Sequence, residues 1–347
     1  MGLFKKRVVF AMCCAVVLAA CDPDKPEPLP EVSFETPSNF PPPVYDLAAN
    51  PVTPAGFALG RDLFYDGLLS RDGSISCGFC HQQTAGFTQH GHDLSHGIDD
   101  RLTMRNALPI QNLAWEREFF WDGGVFHLDL FAIQPIENEN EMGEQMPNVL
   151  EKLRRHATYP AMFTAAFGTP EITTDRFLKA LSQFQLMCIS SNSKYDKYVR
   201  NEGATLNAAE LAGLQTFRQK CASCHEGELF TDHNYRNNGL PVANPDDTGR
   251  HRITLNDEHR YQFKVPSLRN VEVTRPYMHD GRFRNLEAVL DFYASGVADS
   301  PTLDPVLKAE GRRGIELTAT EKSNIIAFLH TLTDHDFLSK KELSEFH

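Results

Sequence analysis

Apolar residues fall at helical spacing in several stretches of the chain and alternate at strand spacing in few. Phe177, Leu178, Leu181 and Phe184 mark one amphipathic helix that Thr174 is placed to cap. Ile325, Ile326, Phe328, Leu329 and Leu332 mark another, with Thr320 at its start. Leu211, Leu214 and Phe217 mark a third, which begins at Asn207 and runs up to Cys221. Part of this pattern occurs twice. Gly60-Arg61-Asp62-Leu63-Phe64 and Gly213-Leu214-Gln215-Thr216-Phe217 share one Gly-to-Phe spacing, and each copy closes with one of the amphipathic helices. In the first copy a polar loop from Asp66 to Ser76, containing Asp72-Gly73, separates Phe64 from Cys77. The expected fold is mainly α, in two units spanning 46–200 and 201–340, divided at the polar break Asn201-Glu202-Gly203.

The N-terminus follows a different pattern. Lys5, Lys6 and Arg7 precede the apolar run Val8 to Ala20, which is too short to span a bilayer as a mature helix. Leu18-Ala19-Ala20-Cys21 has the form of a lipobox, in which the cysteine takes lipid after cleavage; an ordinary signal with a chance cysteine is the alternative. Residues 1–20 are therefore read as a lipoprotein signal peptide and 21–45, rich in proline and acids, as an extended tether. The expected location is the cell envelope, in the periplasm or on the outer surface, with membrane contact only through a lipid anchor at Cys21. The formal charge of the chain is −12, and losing three basic residues with the signal takes it to −15. That charge argues against nucleic acid and for a basic soluble partner.

Of eight cysteines, Cys13 and Cys14 leave with the signal and Cys21 takes lipid. Cys188 lies in the apolar run Phe184 to Ile189 and reads as a buried thiol. The other four stand in Cys77-Gly78-Phe79-Cys80-His81 and Cys221-Ala222-Ser223-Cys224-His225. Each residue type there has its own task in heme attachment: two thiols add to the porphyrin vinyl groups, and the adjacent histidine reaches the iron. Zinc is the main rival for paired Cys-x-x-Cys, but it explains neither the histidine after both pairs nor the export signal. Thioredoxin-like redox chemistry would need a βαβ pattern, and neither motif has one. The reading is two cytochrome c-type domains, each around a covalently bound heme c.

Further motifs lie between and after these: Arg105-Asn106-Ala107, Phe119-Phe120-Trp121-Asp122-Gly123, Glu141-Met142, Phe263 to Asn270, and Pro276-Tyr277-Met278-His279-Asp280-Gly281. In these the sequence resembles the bacterial di-heme cytochrome c peroxidase family, including its MauG-like branch, from Gly60 to Thr333. The resemblance implies that His81 is the proximal ligand of a peroxidatic heme that meets hydrogen peroxide, and His225 that of an electron-transfer heme. It puts Glu141 in the catalytic acid position and Trp121 between the hemes. It also implies one calcium ion held by the Asn106 side chain and the backbone carbonyls of Thr274 and Pro276. A carboxyl above a peroxide can take a proton from its inner oxygen and return it to the outer one. The plainer reading of Glu141 is a solvated charge, because Glu137, Glu139 and Glu144 stand beside it. The plainer reading of Trp121 is core packing.

Two positions depart from the peroxidases of this family. Where they carry a distal histidine for the first heme, this chain has Ile98; His90, His92 and His96 are near but out of register. Where they carry a methionine ligand to the second iron, this chain has Tyr293, as in the MauG-like branch, with Met278 as the rival. The expected activity is reduction of hydrogen peroxide with electrons from a small redox protein such as cytochrome c. The alternatives are MauG-like oxidation of side chains on a protein substrate, and an electron-transfer cytochrome without catalysis.

Overall fold

The computed structural model describes residues 2, 31–308 and 311–345, so the signal segment and Cys21 lie outside the described residues. The helices are α1 (Pro54–Tyr65), α2 (Cys77–Cys80), α3 (Ile133–Glu137), α4 (Met146–Arg155), α5 (Tyr159–Phe167), α6 (Thr174–Leu186), α7 (Lys194–Val199), α8 (Ala208–Lys220), α9 (His251–Thr254), α10 (Leu286–Asp291), α11 (Ala319–His330) and α12 (His335–Ser339). Two short strands, β1 (Tyr235–Arg236) and β2 (Phe263–Lys264), pair antiparallel with Tyr235 opposite Lys264. The fold is mainly helical with few strands.

The repeated Gly-to-Phe spacing has a packing cause. α1 crosses α6 at Gly60, where a Cβ would stand 1.9 Å from the Ala180 carbonyl oxygen. α8 crosses α11 at Gly213, where a Cβ would stand 1.9 Å from the Asn324 carbonyl oxygen. Only glycine lets the helices approach this closely. One turn on, Phe64 meets Phe184 at 4.8 Å between ring centroids, and Phe217 meets Phe328 at 5.2 Å. Asn207 caps α8 in a capping box with Glu210, as expected. The other two caps are displaced. Thr173, not Thr174, caps α6, and Thr318, not Thr320, caps α11, because Glu321 three residues on returns a bond to the Thr318 amide.

Two principal apolar cores result, one around Phe57, Phe64, Phe87 and Phe184 and one around Phe217, Phe230 and Phe328. They divide the chain differently from the break at Asn201. Tyr195 of α7 already packs in the second core, while Phe337 of α12 and Leu343 return to the first. Tyr65 Oη donates to the Leu343 carbonyl at 2.7 Å, and Gln83 Nε2 to the Phe337 carbonyl at 3.0 Å. The last residues thus fasten the second unit to the first.

The segment expected as a tether is also corrected over its described part. Phe34 and Phe40 pack on Trp115 at 5.9 and 5.1 Å, and the Trp115 indole N–H donates to the Pro41 carbonyl at 2.7 Å. Proline keeps residues 31–45 out of a helix, but the two phenylalanines gain enough burial to dock. Phe40 also lies 4.5 Å under the Arg269 guanidinium, and Asn39 donates to Asp196. Arg269 and Asp196 form a bidentate pair with no exposure at all. The strap, α7 and the second unit therefore share one buried charge pair. Among the described residues, no helix is long and apolar enough to cross a membrane.

Candidate active site: two cavities that share Trp121

Both Cys-x-x-Cys-His motifs adopt the same local geometry. The His81 amide donates to the Cys77 carbonyl at 2.9 Å and the His225 amide to the Cys221 carbonyl at 3.0 Å, so each histidine follows a single helical turn. His81 Nδ1 contacts the Phe87 carbonyl oxygen at 2.7 Å, and His225 Nδ1 the Phe230 carbonyl oxygen at 3.1 Å. Phe87 and Phe230 both have positive φ, 60° and 54°, which turns their carbonyls back toward the rings. A proton held on Nδ1 leaves the Nε2 lone pair for a metal. Burial pushes both imidazoles below the ordinary histidine range, toward the neutral, ligating form. The sequence signal for this support was a Phe-Thr pair shortly after each motif, Phe87-Thr88 and Phe230-Thr231, which the sequence reading did not use.

Each motif opens into its own cavity. One, of about 590 Å³, is lined by Cys80, His81, Phe119, Phe120, Phe131 and Glu141 among others. The other, of about 240 Å³ and more apolar, is lined by Cys221, Cys224, His225, Leu290, Met278 and Tyr293 among others. The four thiols are unpaired, and burial raises those of Cys77 and Cys221 to about 12 and that of Cys80 to about 11. Cys188 is a buried free thiol. Two free thiols, a neutral histidine with its second nitrogen fixed and an apolar cavity together fit a covalently attached heme in each place. The pairs do not converge on one zinc site. Among the described residues, no three His, Cys, Asp or Glu come together to hold a metal ion.

Glu141 is on the first cavity rather than in a solvated run. Its backbone is clamped by the Ile98 amide, which donates to the Glu141 carbonyl at 2.7 Å. Its Oε1 accepts from Asn138 Nδ2 at 2.7 Å. Asn138 Oδ1 in turn accepts the Asn140 amide, which fixes the orientation of the amide group. Burial raises the Glu141 carboxyl above the ordinary range, against a smaller lowering by Asn138. The acidic run splits: Glu144 is also buried and paired with Lys152 at 2.6 Å, whereas Glu139 is exposed. Ile98 is buried in the first core, and of His90, His92 and His96 none lines either cavity. His96 contacts Asp100 instead.

Trp121 lines both cavities. Its indole N–H donates to the Asn106 carbonyl at 2.9 Å, and its own carbonyl accepts the Lys264 amide at 2.7 Å. Lys264 pairs with Glu116, where burial would raise the carboxyl but Lys264 and His233 bring it down to about 2. Arg105 joins Asp122 and Asp247, each at 2.7 Å, across the same seam. Asn106, Thr274 and Pro276 share a cavity lining. Asn106 Nδ2 is spent on the carbonyls of His92 and Asp93, which leaves Oδ1 as the side-chain atom to meet a cation. In the second cavity Tyr293 and Met278 both contact the Asn238 amide, so both candidate ligands stand there.

The family profile described as "Di-haem cytochrome c peroxidase" matches residues 54–204. The methylamine utilization protein MauG of Methylorubrum extorquens is 35% identical over 302 residues, covering 86% of this chain and 83% of that protein. This chain belongs to the di-heme cytochrome c peroxidase family. It is a peroxidase-type oxidoreductase of that family, which implies two heme c groups. Cytochrome c551 peroxidase of Nitrosomonas europaea is 33% identical over 319 residues, covering 88% of this chain and 84% of that one. A crystal structure of a MauG-like protein associated with microbial copper homeostasis superposes with a TM-score of 0.81 at 31% identity, covering 91% of this chain and 99% of that one. The di-heme peroxidase BthA of Burkholderia thailandensis shares the fold, with a TM-score of 0.73 at 22% identity.

Proposed function

We propose that the chain is a lipid-anchored di-heme peroxidase in which the His81 cavity receives hydrogen peroxide and the His225 cavity handles electrons. The reading is carried by Glu141, a carboxyl raised by burial and facing the His81 cavity, with no histidine of the 90–96 loop in it. Two cytochrome c-type units hold the groups, through Cys77, Cys80 and His81 and through Cys221, Cys224 and His225. The bound hemes would give peroxide the two electrons its reduction needs and take them back from the donor protein. The side chains do the rest. Glu141 takes the proton from the inner peroxide oxygen and returns it to the outer one, which leaves as water. Asn138 keeps the carboxylate aimed while it is charged. Trp121 offers an indole π-system common to both cavities for the passage of an electron between them. In the second cavity Tyr293 would hold the iron of the bound group through its oxygen, a donor that favours oxidised iron. Calcium at Asn106, Thr274 and Pro276 would fix the carbonyl that accepts from Trp121.

The donor is a small redox protein, and a mature charge of −15 favours a basic one. Cys21 anchors the chain to a membrane of the cell envelope, and the strap from residue 31 onward holds the two units near it. A second reading, oxidation of side chains on a protein substrate, is favoured by Tyr293 and by the 35% identity to MauG. Steady-state peroxide consumption with reduced cytochrome c tests the choice. Sustained turnover supports the first reading, whereas peroxide consumption without turnover of the donor supports the second.

A further inference from the structure

Tyr293 has an unusual hydrogen-bond environment for a buried tyrosine. A buried phenol ordinarily donates its proton to an acceptor. Among the described residues, the one hydrogen-bond partner of Tyr293 Oη is itself a donor, Asn238 Nδ2 at 3.3 Å. The Asn238 amide cannot be turned over to serve as acceptor. Its Oδ1 already accepts the Leu240 amide at 3.2 Å, so Nδ2 must face the cavity. The same Nδ2 lies 3.6 Å from Met278 Sδ.

Both sides of this contact are rigid. Asn237 Oδ1 accepts the Gly239 amide, and its Nδ2 donates to Ser300 and Thr302 at 2.9 and 2.8 Å. Gly239 has φ +74°, and a Cβ there would stand 2.6 Å from Val297. Tyr293 lies in a π-turn, Phe292–Gly296, and the Ile315 amide pins its carbonyl at 2.7 Å. The turn closes α10, and turns of this kind are rare and frequent at functional sites. An oxygen facing a fixed donor, with no acceptor for its own proton among the described residues, is arranged to bind a cation.

We infer that Asn238 is a positioning residue for the sixth ligand of the His225 heme, selecting Tyr293 oxygen over Met278 sulfur and tempering its charge. This rests on the proposal that Tyr293 is that ligand. The selection follows from acceptor strength: a hydrogen bond to a charged oxygen is roughly twice as strong as one between neutral groups, and a thioether is a weak acceptor. The tempering follows from the same bond. An N–H drawing density from a phenolate makes it a weaker donor to iron, which raises the reduction potential relative to an unsupported phenolate.

The test uses the purified di-heme protein, read by potentiometry and by the phenolate-to-iron charge-transfer band. Asn238→Leu should move the low-spin heme to a more negative potential and shift that band. Asn238→Asp, which keeps the acceptor for the Leu240 amide, should move both further the same way. Asn238→Leu should also populate a second, methionine-ligated low-spin species of more positive potential, and its absence would overturn the selection. Tyr293→Phe should abolish the band. If Tyr293→Phe abolishes the band but both Asn238 variants keep the parental potential and band, the role of Asn238 is overturned alone. If Tyr293→Phe leaves the low-spin spectrum unaltered, the ligand reading beneath it fails as well.

Discussion

Replacing Glu141 with glutamine separates the carboxylate's proton chemistry from its shape. Glutamine keeps an oxygen for the Asn138 N–H that now bonds Oε1 at 2.7 Å, and the Ile98 clamp acts on the backbone, so the loop should hold. Only the proton acceptor is lost. General acid–base help is typically worth about 10²–10⁴-fold. Glu141 is half-buried on a cavity that Gln134, Asn138 and Asn140 also line, so water can partly replace it. The expected loss is at the low end, about 100-fold or about 2.7 kcal/mol of barrier. Stopped-flow spectra under excess hydrogen peroxide give the rate. In the parent that rate should rise with pH through a value above the ordinary carboxylate range, because burial raises Glu141 and the base must be ionised. Glu141→Gln should lose this limb of the profile. The stability prediction has the opposite sign. A carboxyl whose folded pKa is raised makes the fold less stable as pH rises through that value, so at neutral pH the glutamine variant should melt no lower than the parent. A rate within about threefold of the parent would refute the catalytic role. So would a fall in rate matched by a fall in melting temperature, which would make Glu141 structural.

Trp121→Phe should leave the initial reaction with peroxide unchanged while slowing turnover with reduced cytochrome c; if both rates hold, Trp121 is packing alone. Gly213→Ala puts a Cβ where the Asn324 carbonyl oxygen stands 1.9 Å away, and should cost about 1–3 kcal/mol in denaturant melts, with Gly60→Ala matching it in the first core. A neutral result at either glycine would contradict the close helix crossing. Asp196→Asn leaves the fully buried Arg269 uncompensated and should cost about 3–5 kcal/mol. Burial would raise the Asp196 carboxyl, but Arg269, Ser193 and Asn39 hold it below the ordinary range. Its stabilisation is therefore present above the unfolded aspartate range and is lost as pH falls through the depressed value, so the variant should show a weaker acid dependence of stability than the parent.

What the sequence made legible was what is local. A five-residue heme motif and a Gly-to-Phe spacing each carry their meaning within two helical turns, and both recur, which is why a repeated unit was legible. The caps of α6 and α11 were misplaced by one and two residues because neighbouring threonines compete, and the local bonds to the Arg176 amide and with Glu321 decide between them. The strap was read as an extended tether because composition records its prolines but not that Phe34 and Phe40 find Trp115 far along the chain. Glu144 looked like one more solvated acid until Lys152 faced it. Lys264 and Glu116, 148 residues apart, and Asn238 and Tyr293, 55 apart, carry no shared local signal, so only folding reveals them. Glu141 and Trp121 were reached through resemblance, since a glutamate among glutamates and one of two tryptophans do not declare themselves.

The central claim is that one iron stands open to peroxide in the resting protein while the other is closed. Ile98 is buried in the first core and His90, His92 and His96 are outside the His81 cavity, whereas Tyr293 and Met278 both line the His225 cavity. Spin-quantified EPR of the fully ferric protein tests this without any variant. The expected result is one high-spin and one low-spin heme in equal amounts, with peroxide reacting before any reduction. Two low-spin hemes, with peroxide reacting only after one electron is added, would contradict it.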